Sequence, residues 1–223
     1  MKVAILSDIH GNMQALESVM KDINKNGCEK VLCLGDLAMA GPEPSKVIDF
    51  VKSQSNWTVI QGNTDKMIAD FTPEILKNTE RVFPVMAHAL ADDVLFLSGD
   101  RKEYLKNLPA QKELKIEGVK ILMVHGSPRR NNEDILPDMP IAQIEEIIKG
   151  VSADLVFCGH THIPAGYQTS TKQTVVNVGS VGRPMTKDAK SCYCIANFDN
   201  GSFSIEHRLL DYDRDFLLQD FLY

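Results

Sequence analysis

The chain has 223 residues, 43% of them hydrophobic, enough to bury one full core. Its formal net charge of -6 argues against a broad electrostatic grip on nucleic acid, while leaving room for a small cationic pocket. The opening MKVAILSD has one Lys and an apolar run too short for a signal peptide or a bilayer span, so a cytoplasmic protein with no membrane contact is expected.

Short apolar strands then alternate with amphipathic helices. VAILS is followed by a helix from about Asn12 to Lys25, VLCLG by a helix from about Pro44 to Gln54, and WTVIQ comes next. That alternation predicts an α/β layer whose continuous apolar strands are buried on both faces. Each strand ends in a Gly-containing polar cluster, SDIHGN, GDLAMAGP and GNTD, and ligands in open α/β sheets gather at such carboxyl ends. From about Lys66 to Gln111 the alternation gives way to helical stretches, TPEILKNTERVFPVMAHALADDV and GDRKEYLKNL, the second ended by Pro109. Residues 66–111 are therefore expected to form a helical insertion, or cap, on a single domain spanning 1–223. The rhythm resumes with VKILMVHGSP, a helix near Pro140 to Lys149, and ADLVFCGHTH. GYQTS, TVVNVGS, SCYCIANFD and GSFSIEHRLLDYD read as hairpin-like strands, with Asp199, Asn200 and Gly201 turning between the last two. The closing DYDRDFLLQDFLY has a helical periodicity suited to packing on the core or on a partner subunit, which leaves a homo-oligomer open. Cys28, Cys33, Cys158, Cys192 and Cys194 lack CxxC spacing and read as buried thiols.

Five strand ends each deliver a residue able to ligate a hard or borderline cation: Asp8 with His10, Asp36, Asn63, His125, and His160 with His162. In DIH and HTH the paired residues are two apart, so an extended backbone would send both side chains from one face toward one site. Mixed carboxylate, amide and imidazole donors suit Mn, Fe, Ni or Zn better than an all-oxygen Ca or Mg site, and the absence of Cys speaks against a structural zinc. Seven donors exceed what one ion needs, so two divalent ions sharing a bridging carboxylate are expected, with a net positive charge that suits a phosphate.

The ordered blocks Asp8-Ile9-His10, Gly35-Asp36, Gly62-Asn63, His125-Gly126 and Gly159-His160-Thr161-His162 resemble those of the calcineurin-like metallophosphoesterases, over Lys2 to about Pro184. DIHGN, the helical insertion and NVGSVGRP most resemble small bacterial and archaeal phosphodiesterases and predicted diadenosine polyphosphate hydrolases. The resemblance implies a four-layer α/β/β/α sandwich of two mixed sheets. It also implies that Asp8, His10 and His162 hold the first metal, that Asn63, His125 and His160 hold the second, and that Asp36 bridges. The implied function is a two-metal hydrolase of phosphodiester or phosphoanhydride bonds in a small nucleotide-like substrate, in which a hydroxide positioned by Asp36 between the ions attacks phosphorus.

Many members of that family carry His after the Gly-Asn, where it is thought to protonate the leaving oxygen; here Thr64 stands in its place. A threonine hydroxyl is far too weak an acid for that role, so a leaving group that departs without strong acid help is expected, or another donor. As substrate contacts beside Asn63, Arg129 reads as a phosphate contact or a solvated loop residue, and Arg183 as a phosphate contact or a structural ion pair. Asn12 reads as a helix N-cap, Trp57 as core, and His88 and His207 as ordinary core or surface groups. The competing readings are a metal-free protein-binding scaffold, which filled ligand positions speak against, and a nuclease, which the acidic charge and the lack of a basic stripe speak against.

Overall fold

Strand β1 (Lys2–Leu6) is buried on both faces from Val3 onward, and the first sheet is built around it. The structure is a computed structural model that describes residues 1–214. β1 pairs in parallel with β2 (Lys30–Cys33), which pairs in parallel with β3 (Trp57–Val59). On its other side β1 pairs antiparallel with β9 (Ser191–Asp199), itself paired with the edge strand β10 (Ser202–Leu210). The second sheet has the order β4 (Gln111–Ile116), β5 (Val119–Val124), β6 (Leu155–Cys158), β8 (Thr174–Asn177), β7 (Ala165–Gln168). Its inner strands β5, β6 and β8 are parallel and its two edges antiparallel.

The period of two along each strand separates the layers. Val3, Ile5, Leu32 and Leu34 of the first sheet meet Ile121, Met123, Leu155, Phe157 and Val176 of the second in a core between the sheets. The alternate residues Ala4, Leu6, Val31 and Cys33 pack outward beneath α1 (Met13–Lys25) and α2 (Pro44–Ser53), and Leu122, Val124 and Val156 pack beneath α7 (Ile141–Ile147). This is the expected α/β/β/α sandwich of two mixed sheets. Cys33, Cys158, Cys192 and Cys194 are buried free thiols, and Cys28 is a half-buried one.

Between β3 and β4 run four helices, α3 (Asn63–Ala69), α4 (Pro73–Val82), α5 (Pro84–Phe96) and α6 (Gly99–Asn107). α4 and α5 break at Phe83 because Pro84 lacks an N–H and disfavours a helical residue before it. β4 is a strand the sequence did not announce: QKELKI is an exposed edge whose only fully buried residue is Ile116. The C-terminal strands are not one meander either, since β8 lies in the second sheet and β9 in the first. The turn joining β9 to β10 does fall on Asn200 and Gly201, both left-handed, as a tight hairpin of that twist requires. Most of DYDRDFLLQDFLY lies outside the described residues. Among those described, no helix is long and apolar enough to cross a membrane.

Candidate metal centre

The polar clusters after β1, β2, β3, β5 and β6 meet at one end of the sandwich, stitched together by their backbones. Asp8 N–H donates to the Gly35 carbonyl at 3.0 Å, His10 N–H to that of Asp36 at 2.9 Å, and Gly159 N–H to that of His125 at 2.7 Å. Val181 and Gly182 N–H close the far side on the carbonyls of Ser7 and Asp8, at 3.0 and 2.9 Å. Glycine is required where these loops touch: a Cβ on Gly62 would lie 2.0 Å from Oδ1 of Asp36, and one on Gly182 would lie 1.8 Å from the Ile9 carbonyl.

The extended geometry expected for DIH and HTH is wrong. Asp8, His10, Asp36, His160 and His162 all have positive φ, between 50° and 68°. Side chains therefore do not leave one face of a strand; each is aimed by a left-handed kink, a conformation sparsely populated by non-glycine residues and common at functional sites. One consequence is that His160 and His162 diverge. Nε2 of His162 lies 3.2 Å from Oδ1 of Asp8 and 3.0 Å from Nε2 of His10, whereas the His160 ring stacks edgewise on His125 at 5.4 Å and its Nε2 lies 3.4 Å from Asp134.

Two donor groups result, one of Asp8, His10 and His162 and one of Asp8, Asp36 and His125, with ligand atoms within 4.8 Å of one another in each. Asp8 is common to both groups, and Oδ2 of Asp36, in the second, lies 3.7 Å from Nε2 of His10 and 3.3 Å from Nε2 of His125. Oδ1 of Asn63 lies 2.9 Å from Nε2 of His125, so Asn63 faces the second group. The outer carboxylate oxygens are held by backbone: Thr64 N–H donates to Oδ1 of Asp36 at 2.8 Å and His160 N–H to Oδ2 of Asp8 at 3.0 Å. This leaves Oδ1 of Asp8 and Oδ2 of Asp36 turned inward.

The donor set fits a cation. Nδ1 of His10, His125 and His162 each contacts a backbone carbonyl, of Met39, Leu34 and Arg183, at 2.9, 2.8 and 2.7 Å. A carbonyl can only accept, so each Nδ1 carries a proton and each ring turns its Nε2 toward the centre, where a bound cation would take the place of any proton on it. The facing Nε2 atoms of His10 and His162, beside an Oδ1 of Asp8 that is buried and accepts no hydrogen bond, form a site that a positive charge resolves. The field agrees. Burial would raise the Asp36 carboxyl, but His125 and His10 bring it down to about 2, and Asp8 falls likewise under His125 and His162. Burial opposes the imidazolium of His125, yet Asp36 and Asp8 lift it to about 10.

Three residues that sequence reasoning passed over hold this geometry. Asp65 accepts the N–H groups of Asp36 and Gly62 through Oδ2 and that of Leu37 through Oδ1, tying the loop after β2 to the loop after β3. Asn177 Nδ2 donates to the Gly159 carbonyl and to Thr161 Oγ1, both at 2.8 Å, while its Oδ1 accepts from Gly179 N–H. Asp93, on α5, accepts the N–H of Met39, the residue whose carbonyl orients His10. An acid two residues past a Gly-Asn block was a readable signal for Asp65; Asp93 had none, lying in an apolar helix. Arg129 has its guanidinium on Glu133, at 2.5 and 2.9 Å. Arg183 instead lines a cavity with His10. Asn12 caps α1 by accepting from Ala15 N–H, Trp57 packs edgewise on Phe50, His88 is exposed, and His207 bonds the Asn177 carbonyl.

The sequence profile described as the calcineurin-like phosphoesterase superfamily domain matches residues 1–201. An uncharacterized protein of Methanocaldococcus jannaschii is 28% identical over 95% of this chain and 88% of its own length. Among solved structures, a hypothetical protein from Pyrococcus horikoshii superposes with a TM-score of 0.86 at 27% identity, covering 98% of this chain and 91% of that one. A metallophosphoesterase from Sphaerobacter thermophilus has the same fold, with a TM-score of 0.73 at 22% identity over 96% of this chain and 90% of its own.

Proposed function

Because the chain belongs to the calcineurin-like phosphoesterase superfamily, we propose that it hydrolyses phosphodiester or phosphoanhydride bonds of small nucleotide-like substrates, using two divalent transition-metal ions of the manganese, iron, nickel or zinc type. The observation that carries this reading is the facing pair of imidazole Nε2 atoms, His10 and His162, 3.0 Å apart beside the bare Oδ1 of Asp8. When bound, the ions supply Lewis acidity to the phosphoryl oxygens and to the attacking water.

The chain's own residues hold that arrangement still. Asp36 turns one inward oxygen toward both His10 and His125, the place a bridging carboxylate would take, while the N–H at the start of α3 fixes the other. His125 and Asn63 close the second group and His160 flanks it. Thr64 is buried and its hydroxyl donates to the Ala38 carbonyl at 3.1 Å, so it offers no proton to a leaving group. Substrates whose leaving oxygen departs as a stable anion fit such a site, and alkyl monoesters do not.

Calorimetric titration with Mn(II) or Zn(II), paired with an assay on bis-p-nitrophenyl phosphate, tests the reading. Two ions per chain are expected, and Asp36→Ala should lose at least one of them together with roughly 100-fold or more in kcat/KM. A chain that binds no stoichiometric ion would be a scaffold on this fold. Turnover untouched by Asp36→Ala would sink the bridged pair.

A further inference from the structure

We propose that Arg183 and the cavity beside His10 seat a second phosphate group of the substrate, making phosphoanhydrides, rather than diesters with a single phosphate, the bonds this centre cleaves best; the inference rests on the phosphoesterase reading above. The cavity holds about 120 Å³ and is walled by His10, Asn12, Ala40, Gly41, Gly182 and Arg183. A single water needs only about 10–15 Å³ of such space, so the cavity has room for a phosphate. Two of its walls are glycine, so backbone rather than side chain bounds much of it. It opens directly against His10, a member of the first donor group.

Arg183 is fixed at its root and free at its tip. Its carbonyl accepts from Nδ1 of His162 at 2.7 Å and its N–H donates to Ser180 Oγ at 2.8 Å, so its main chain is bound to the metal centre itself. Its guanidinium makes no ion pair among the described residues, and its polar contact is Nη1 to the thioether sulfur of Met86 on α5, at 3.2 Å. Arg101, Arg129 and Arg208, by contrast, are all held by carboxylates. A thioether is a weak acceptor, whereas a phosphate offers a guanidinium charge-assisted, bidentate bonds, so substrate displaces sulfur readily. The Met86 contact keeps the fork parked beside the cavity without satisfying it.

A cation at this place also answers the want of an acid at Thr64. Water adds to one phosphorus, the bridging P–O bond breaks with its electron pair left on the departing phosphate oxygen, and the water protons pass to solvent. No proton needs to reach the leaving oxygen. What the leaving phosphate needs is neutralisation of its growing charge, which Arg183 supplies.

The test compares metal-loaded wild type with Arg183→Ala and Arg183→Lys on two substrates, diadenosine tetraphosphate and bis-p-nitrophenyl phosphate. Arg183→Ala should lower kcat/KM on the anhydride by roughly 10- to 100-fold, and by about ten times more than on the aryl diester. Arg183→Lys should recover part of that loss, because it restores the charge without the fork. Metal stoichiometry and melting temperature of both variants serve as the check on folding. Equal losses on the two substrates, or none on the anhydride, overturn the inference. Wild type that cleaves the diester but not the anhydride also overturns it while leaving the proposed function standing; metal-loaded wild type that cleaves neither removes the proposed function itself.

Discussion

Asp93 shows how far from the candidate metal donors a residue can sit and still orient one of them. Its carboxylate reaches from α5 to the Met39 N–H, and the Met39 carbonyl receives Nδ1 of His10, so α5 acts on the centre through one residue. Burial pushes the Asp93 carboxyl up to about 6, opposed in part by the Met39 N–H. The sign follows from the raised value. Between about pH 4 and 6 the folded chain keeps a proton that the unfolded chain has lost, so this group's contribution to stability falls as pH rises through that window and is flat above it. Asp93→Asn keeps an acceptor and removes the charge. In urea melts from pH 4 to 8, the stability of the variant relative to wild type should therefore climb across the window, by up to about 2 kcal/mol. A difference that does not vary with pH would contradict the assignment. At this scale the sequence was legible for the residues that converge on the centre, because their blocks are ordered and each follows a recognisable strand. It was silent on Asp93 and Asn177, whose partners are backbone atoms 54 and 18 residues away in Met39 and Gly159.

The elements themselves were largely readable, since the apolar runs VAILS, VLCLG and LVFC mark buried strands that the structure places within a residue or so. β4 was not, because a charged edge strand owes its pairing to β5 rather than to its own pattern. The backbone between elements was misread outright at DIH and HTH. Periodicity describes regular structure, and these residues are set by contacts with loops from elsewhere. Those contacts are tight enough to make a sharp prediction. Gly62→Ala would drive a methyl group into Asp36, 2.0 Å from its Oδ1 and 2.3 Å from its N, where neither α3 nor the β2 loop can yield. A loss of about 1–3 kcal/mol in a urea melt is expected, together with at least one fewer ion in a metal titration. Full metal binding in a folded Gly62→Ala chain would mean the two loops are slacker than they stand here.

For the molecule as a whole, the donors come from both sheets: Asp8, His10, Asp36 and Asn63 follow strands of the first, His125, His160 and His162 strands of the second. Any ion held by both sets fastens the two halves of the sandwich at one end, beyond the reach of the apolar core between them. Binding only to the folded chain then raises its stability by about 2.7 kcal/mol at a hundredfold excess over Kd. A calorimetric scan should show the melting temperature rising with Mn(II) or Zn(II) and falling back with chelator; no response to metal would mean that the sheets are not bridged. The left-handed donors have a consequence of their own. Asp8, His10, Asp36, His160 and His162 sit in a conformation that costs a side-chain-bearing residue roughly 1 kcal/mol or more and a glycine almost nothing. Relaxing that backbone and discarding the ligands are thus the same mutation. If these positions hold metal as proposed, a copy of this gene released from that role would find its easiest gains in folding at those same positions, so loss of the centre would be a slope rather than a barrier.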